Sequence, residues 1–477
     1  MFYDVNDDKF KEECGLFGIY SETKSISFLT YLGLYALQHR GQESAGIAVT
    51  NGTIMDVKKS LGLVGDVFKD SLPEVEAQNI ATGHVRYSTT GSNLLRNTQP
   101  LLVNYSGGQL SLSHNGNLIN AQELRNELEK EGCVFQTSID SEVIINLIAR
   151  SKKSTIEEKV IEACQKIKGA FCLIIMTLDK LIAIRDPHGF HPLCIGQIDN
   201  DFVVASESCA LDTVGATFVR DVDPGEIIVI DKDGLKPYKN SLKGTLAKCS
   251  FEYVYFARPD SNLDKVNVYE ARMNLGATLY KETNLKADIV ISVPDSGTPA
   301  AIGYSKASGI PFVEGLLKNR YIGRTFIQPD QKNREASVHL KLNAVKSLVK
   351  DKSIIMIDDS IVRGTTSARL IKMLRVAGAK EVHMAISSPP VLFPCYYGID
   401  TTEKKELIAT VKTKEEIRQF IGADSLHYIS LEGLNTAIEG TKDSTLCTAC
   451  FDGKYPTETP CEDCNCTNKY MFEADKN

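Results

Sequence analysis

Residues 353–367 read S-I-I-M-I-D-D-S-I-V-R-G-T-T-S. Four apolar residues, Ile354 to Ile357, run into the carboxylate pair Asp358 and Asp359. Ser360, Arg363 and the loop Gly364-Thr365-Thr366-Ser367 follow. A short apolar run fits a parallel strand buried on both faces, and the loop then lies between its carboxyl end and a helix N-terminus. Backbone N–H groups, the hydroxyls of Thr365, Thr366 and Ser367, and the helix dipole would converge there on one phosphate. Two like charges cannot hold that phosphate, but they can accept hydrogen bonds from sugar hydroxyls or ligate Mg²⁺. A phosphate cradle beside an acid pair describes a phosphorylated ribose. The bland alternative is a strand–turn–helix with a solvated acidic turn.

A second chemistry starts at Cys14, in C-G-L-F-G-I. If residues 1–13 were removed, Cys14 would become N-terminal. Its own α-amine, with an ordinary pKa of about 7.7–8.0, could then take the thiol proton. The thiolate could attack a carboxamide, given donors for the oxyanion. Alone, the run equally describes a buried strand cysteine. A third signal is C-T-A-C at 447–450, a spacing that fits half a zinc site or a redox pair.

These groups need elements to hold them. Between residues 14 and 245, short β-type runs at 14–20, 46–50, 80–85, 110–114, 170–177, 181–185, 202–206 and 227–230 alternate with turn signals. Helical patterns cover 27–39, 120–131 and 140–151, so this half reads as an α+β sandwich. Residues 246–435 alternate strands (289–293, 312–314, 353–357, 382–387) with helices (269–281, 298–307, 366–377), the pattern of a doubly wound parallel sheet. Residues 251–261 join the halves, and 436–477 form a polar, Cys-rich tail.

Composition bounds the rest. A chain of 477 residues has room for two or three domains, and 43% hydrophobic with 24% charged residues is ordinary for a soluble enzyme. The net charge of −7 is spread along the chain, which argues against nucleic acid as a partner. No apolar run approaches the roughly 20 residues of a membrane span, and the acidic N-terminus lacks a signal-peptide core. The expected location is the cytoplasm. Thirteen cysteines there do not imply disulfides. Cys164, Cys172, Cys194 and Cys209 lie among apolar residues and read as core.

Five runs in order carry a resemblance. The Cys14 run, L-Q-H-R-G-Q-E-S-A-G (37–46), G-H-V-R-Y-S-T-T-G (83–91), S-H-N-G-N-L (113–118) and D-S-E (140–142) resemble the glutaminase domain of N-terminal-nucleophile amidotransferases. Residues 354–366 resemble the phosphoribosyl-pyrophosphate (PRPP) signature of type I phosphoribosyltransferases. V-P-D-S-G-T-P-A-A (293–301) resembles their pyrophosphate loop, and K-N-R-Y-I-G-R-T-F-I (318–327) the mobile loop that closes over PRPP. Across essentially the whole chain the sequence is similar to the glutamine PRPP amidotransferases of the iron–sulfur-bearing type.

That resemblance implies a fold and a site. The fold would be a propeptide (1–13), a four-layer αββα glutaminase domain (14–245), an α/β phosphoribosyltransferase domain with a parallel sheet (246–435) and the tail. Cys14 would be the nucleophile, and the Asn115 side chain and Gly116 N–H the oxyanion hole. Arg86 would clamp the glutamine α-carboxylate, Asp140 would accept its α-ammonium, and Arg40 and His84 would organise the surroundings. Asn115-Gly116 by itself is also an excellent hairpin turn. PRPP would be held by Asp358, Asp359, Ser360, Arg363, Gly364, Thr365, Thr366 and Ser367 and by the loop from Asp295, in which Ser296, Gly297 and Thr298 offer backbone N–H groups to the pyrophosphate. Lys341 would face the pyrophosphate too, although His339 and Leu340 replace a basic residue common in relatives. Mg²⁺ would sit at Ser296, Asp358 and Asp359. A [4Fe–4S] cluster would take Cys249, Cys395, Cys447 and Cys450, while Cys461, Cys464 and Cys466 fall outside the family pattern.

The implied reaction turns glutamine, PRPP and water into 5-phosphoribosylamine, glutamate and pyrophosphate, the first committed step of purine synthesis. A homotetramer and feedback by AMP, GMP, ADP or GDP are implied as well. Ammonia is mostly ammonium in neutral water, so a dry internal passage is expected. Tyr87, Tyr253 and Tyr255 would be gate or hinge elements, or core. A PRPP- or nucleotide-sensing regulator without catalysis is the rival in another class, and the intact Cys14 and Arg86 set argues against it. A sugar-phosphate or asparagine synthetase is a second rival, which the PRPP loop disfavours.

Overall fold

The computed structural model describes residues 13–88, 90–239, 241–319, 342–399, 404–441, 444–459 and 470–473. Lys341, nearly all of the expected closing loop, and Cys461, Cys464 and Cys466 lie outside the described residues.

Apolar runs in the first half build two antiparallel sheets. One has seven strands, in the order Thr217–Asp221, Cys194–Ile198, Asp201–Ala205, Gly15–Tyr20, Ile80–Arg86, Ser44–Thr50 and Met55–Leu61. The other has six, in the order Gly234–Tyr238, Ile227–Asp231, Leu181–Arg185, Gly169–Met176, Gly108–Leu118 and Leu101–Tyr105. Their inner faces meet through Leu16, Ala48, Ile174, Met176 and Ile228. Helices Ile26–Ala36 and Ser208–Val214 cover the outer face of the first sheet, where Leu34 and Leu211 join Phe17 and Ile47. Helices Ala121–Lys130, Ser141–Arg150 and Ile156–Lys166 cover the second, with Leu124, Ile144 and Val160 against Leu112 and Leu173. The result is the four-layer αββα sandwich.

Strands buried on both faces were legible as apolar runs. Met55–Leu61 and Thr217–Asp221 were not, because they are largely solvent-facing and carry mixed residues. The strand expected at 110–114 runs from Gly108 to Leu118. Asn115 and Gly116 are therefore not a turn. They sit inside the ladder, opposite Cys172 and Phe171.

The second half holds a parallel sheet in the order Ile289–Ser292, Ser353–Asp358, Glu381–Ile386 and Ser425–Tyr428. Helices Val268–Thr283, Thr298–Ser308 and Leu431–Glu439 pack on one face through Leu275, Ala301 and Leu434. Helices Thr365–Val376 and Lys414–Ile421 pack on the other through Leu370, Leu374 and Ile417. The strand expected at 312–314 reduces to one bridge, Phe312 to Val290. Lys414–Ile421 was not anticipated, although Thr413 and Glu416 form a capping box that the sequence displays.

The connection between the halves is a π-helical turn, Glu252–Phe256. Phe251, Tyr253 and Phe256 share a core with Leu275 and Leu279 and with Cys450 and Phe451 of the tail. Tyr253 is buried there and donates its hydroxyl to the Leu263 carbonyl at 3.3 Å, so it is a packing residue. No described helix is long and apolar enough to cross a membrane.

Candidate active sites

Cys14 stands directly before strand Gly15–Tyr20, whose register sets Gly15 opposite Val85. That pairing carries Arg86 to the same sheet end. The Cys14 thiol is buried, donates to the Tyr87 carbonyl at 3.3 Å, and lies in the fields of Arg86, Glu43 and Asp140. Burial pushes this thiol up to about 11, outweighing the Tyr87 hydrogen bond and the Arg86 charge. With Glu13 still attached, burial favours the neutral thiol over the nucleophilic thiolate.

The buried Arg86 guanidinium donates to the carbonyls of Thr90, Gly91 and Ser92 at 3.2, 3.3 and 3.3 Å. Asp140 precedes helix Ser141–Arg150 and accepts the Leu118 N–H at 2.9 Å. Asn115 is 1% exposed, and its Nδ2 has no hydrogen-bond partner among the described residues. A buried donor left unpaired is costly, so it marks a place where a ligand atom belongs. Gly116 has φ +138°, and a Cβ there would stand 2.1 Å from the Ala170 carbonyl oxygen. Only glycine lets these strands approach.

Arg40 and His84 organise rather than face this pocket. Arg40 donates from Nε to the Cys14 carbonyl at 3.1 Å. Its remaining nitrogens reach Glu207 at 2.7 Å, Glu252 at 2.6 Å and Glu13 at 3.0 Å. His84 supports the carbonyl of His114 through Nε2 at 3.1 Å, and burial lowers its pKa to about 3, so it is neutral.

Glu13, His191 and Glu252 were missed by sequence reasoning, though Glu13 directly precedes the nucleophile. His191 Nδ1 lies 2.8 Å from Glu13, and Nε2 donates to the Tyr397 carbonyl at 2.8 Å. Burial opposes charge on His191, but Glu13 and Glu252 raise its pKa to about 10. Burial pushes the Glu13 carboxyl up to about 7, and Arg40 helps hold Glu252 well below the usual range despite burial. The Glu13, His191 and Glu252 ligand atoms lie within 4.8 Å of one another, close enough for a metal. Arg40 already supplies the cation that this acid group needs.

The second half abuts the same strand. Asn117 accepts the Thr90 hydroxyl at 2.8 Å and donates to the Tyr396 carbonyl at 3.0 Å. A Cβ on Gly398 would lie 3.6 Å from Gly116 Cα. Next to this contact, Cys249, Cys395, Cys447 and Cys450 line one cavity together with Glu13, His191 and Tyr455. Cys249 and Cys447 face each other in a parallel two-residue ladder, Cys450 follows in the turn Ala449–Asp452, and Cys395 Sγ accepts the Tyr397 N–H at 3.3 Å. None of the four is in a disulfide. Burial pushes Cys395 up to about 11, Cys447 up to about 12, and Cys249 and Cys450 well above their usual range. Four thiols around one space, those of Cys447 and Cys450 buried and those of Cys249 and Cys395 half-buried, fit a soft metal or an iron–sulfur cluster, whose positive charge would offset the thiolates.

The loop expected to hold a ribose phosphate lies at the carboxyl end of strand Ser353–Asp358. Gly364, at φ +80°, precedes helix Thr365–Val376, whose first turn carries the expected hydroxyls. A Cβ on Gly364 would press on Ile408 at 3.0 Å. Asp359 accepts the Ser296 hydroxyl at 2.5 Å and the Ser360 hydroxyl at 2.7 Å, so the two expected loops meet. A Cβ on Gly297 would lie 2.8 Å from the Ile357 carbonyl. Two expectations change. The N–H groups of Gly297 and Thr298 donate to Val293 at 3.1 Å and Asp295 at 3.2 Å, because the turn itself consumes them. Asp295 pairs with Lys318 at 2.6 Å, and Arg363 with Glu406 at 2.6 Å.

Comparison with known proteins finds relatives of both halves of the chain. Residues 84–213 match the glutamine amidotransferase domain family and residues 263–421 the phosphoribosyl transferase domain family. The chain is 50% identical over 452 residues to the amidophosphoribosyltransferase of Bacillus subtilis (strain 168), covering 94% of each chain. It is 50% identical over 463 residues to that of Methanocaldococcus jannaschii, covering 93% of this chain and 98% of the relative. The solved B. subtilis glutamine PRPP amidotransferase complexed with ADP and GMP superposes with a TM-score of 0.88 at 49% identity. That match covers 94% of this chain and 98% of the other.

Proposed function

The chain belongs to the amidophosphoribosyltransferase family, and from that premise we propose how its two sites divide the work. The enzyme forms 5-phosphoribosylamine, glutamate and pyrophosphate from glutamine, PRPP and water, at the first committed step of purine synthesis. The observation that carries the glutaminase assignment is the buried, unpartnered Asn115 amide on the strand beside the Cys14 group.

Removal of residues 1–13 frees the Cys14 α-amine, which takes the thiol proton. The thiolate attacks the glutamine carboxamide carbon, and Asn115 Nδ2 and the Gly116 N–H donate to the oxyanion. The C–N bond breaks, ammonia leaves, and water hydrolyses the thioester to glutamate. Arg86 and Asp140 hold the glutamine α-carboxylate and α-ammonium. In the second site, the helix turn at Thr365 to Ser367 binds the 5-phosphate and Asp358 with Asp359 orients the ribose hydroxyls. Ammonia bonds to C1 as the C1–O bond to pyrophosphate breaks, the new C1-ammonium group gives up a proton to water or the departing pyrophosphate, and Lys341, with Arg363 once it exchanges Glu406 for the pyrophosphate, offsets the leaving charge. Ser296, Asp358 and Asp359 offer hard oxygen donors, the first and last joined by a hydrogen bond, that would hold Mg²⁺, and the ion would supply positive charge against pyrophosphate. Ammonia crosses by an enclosed route between the sites, where Asn117 and Gly116 abut Tyr396 and Gly398.

The four converging thiols support a [4Fe–4S] cluster, which cross-links the connection, the 395–398 segment and the tail. A Cys450→Ser variant is expected to lose most of its iron and its brown colour. Iron content unchanged from wild type would overturn that assignment. Purine nucleotides share the ribose 5-phosphate that the second site recognises, and the B. subtilis relative was solved with ADP and GMP. They are the proposed feedback ligands of a homotetramer in the cytoplasm. The deciding assay for coupling between the sites is glutamate release with and without Mg²⁺-PRPP. Stimulation accompanied by pyrophosphate release is expected, and the absence of both would sink the two-site reading.

A further inference from the structure

The far end of the chain returns to the glutaminase site. Glu473 Oε1 accepts the Ser92 N–H at 2.6 Å and the Ser138 hydroxyl at 3.4 Å, contacts that span 381 and 335 residues of sequence. Ser92 belongs to the loop that holds Arg86, since its carbonyl accepts from Arg86 Nη1 at 3.3 Å. Ser138 lies two residues before Asp140. One carboxylate oxygen therefore bridges the segment that holds one glutamine-recognising group and the segment that carries the other.

The bridge is built into a network. Asn97 Nδ2 donates to the Ser92 carbonyl at 2.9 Å and to Ser138 Oγ at 2.8 Å, and the Ser138 N–H donates back to Asn97 at 3.1 Å. A Cβ on Gly91 would lie 2.5 Å from the Ser138 carbonyl, so the two segments are already in close contact. Beside Glu473, Phe472 lies under the Arg125 guanidinium at 4.7 Å, and Arg125 donates to the Thr137 carbonyl at 3.1 Å. Met471 and Phe472 pack against the core of the helices that carry Asp140. Apolar anchoring fixes the tail, and the carboxylate then makes a charge-assisted hydrogen bond where it counts.

We propose that Glu473 is a positioning residue for glutamine: it holds the 90–92 loop and the 136–140 segment at the separation at which Arg86 and Asp140 grip the α-carboxylate and α-ammonium together. This rests on the assignment of the glutamine site to Cys14, Arg86 and Asp140. Glu473 contacts Ser92 and Ser138, which flank the glutamine-holding groups, so its loss is expected to act on glutamine recognition. It also gives the C-terminal tail a duty in the first domain, far from the cysteine site.

The test compares wild type, Glu473→Ala and Phe472→Ala in the full-length chain. Glu473→Ala is expected to raise KM for glutamine about tenfold, the loss expected for one charge-assisted hydrogen bond. PRPP saturation and the rate with added ammonia stay at wild-type values. Phe472→Ala moves glutamine KM in the same direction. A glutamine KM within twofold of wild type in Glu473→Ala overturns the proposal. So does an ammonia-supported rate that falls in step, which would mark general unfolding. Labelling of Cys14 by a diazoketone analogue of glutamine separates the two levels. Wild type left unlabelled overturns the glutamine site itself, whereas equal labelling rates in wild type and Glu473→Ala overturn only the role of the tail.

Discussion

Glutamine-dependent synthesis falls by on the order of 10⁴-fold in a Cys14→Ala variant, while synthesis from added ammonia persists. Cys14 and the acid pair Asp358-Asp359 stand at the ends of strands in two different sheets. Cys14 lies at the end of the seven-stranded sheet, within the fields of Arg86, Glu43 and Asp140. Among the described residues its hydrogen bond goes to the Tyr87 carbonyl, in the same half of the chain. Removing one sulfur atom leaves the pairing of Arg40 with Glu207 and Glu252 intact, because Arg40 donates to the Cys14 carbonyl and not to its side chain. The protein should fold and bind both substrates. Supplying ammonia at alkaline pH then bypasses the missing nucleophile. Initial rates with each nitrogen source check this, and parallel loss of both activities would contradict the division of labour. The same experiment carries a test of maturation. Burial favours the neutral thiol while Glu13 is attached, and the α-amine proposed to take its proton appears only when residues 1–13 are removed. Intact mass of active enzyme should begin at Cys14.

Asp359→Asn has the opposite signature. Synthesis from either nitrogen source drops by roughly 10²–10³-fold, because the loss lies in the shared second half of the reaction. Asp359 accepts hydroxyls from Ser296 on one oxygen at 2.5 Å and from Ser360 on the other at 2.7 Å. An amide keeps the shape but removes the charge, and it turns a donor toward one of those hydroxyls. The hard oxygen pair beside Asp358 is then lost to a divalent cation, and the ribose loses a charged acceptor. Basal glutamate release survives, because Cys14 is untouched, but PRPP no longer stimulates it. Measuring glutamate and pyrophosphate separately resolves the two. Pyrophosphate release near the wild-type rate would remove Asp359 from the site.

The two halves were legible in the sequence to different depths. The PRPP loop could be read from residues 353–367 alone, because strand, loop and helix N-terminus are local and each residue type has a local reason to be there. The central strands were legible because burial on both faces leaves an apolar run, and the solvent-facing Met55–Leu61 and Thr217–Asp221 were not. Asn115 and Gly116 read locally as a turn, yet the ladder with Cys172 and Phe171 overrides that preference. Glu13 and Glu252 left no sequence signal of their partnership, since nothing periodic links a residue before the first strand to one in the connection between the halves.

What the sequence determined by itself is the set of chemical groups and the short elements that present them: a cysteine opening a strand, an acid pair closing one, hydroxyls on a helix turn, and cysteines at metal spacing. Only the tertiary structure decided which of these groups share a space and what charge each carries there. It brings Cys249, Cys395, Cys447 and Cys450 around one cavity, leaves the Asn115 amide without a partner, and returns Glu473 to Ser92 and Ser138. The physical reason is that hydrogen-bonded turns and helix ends act over a few residues. Desolvation, ion pairing and ligand convergence depend on distances that only the packed chain sets.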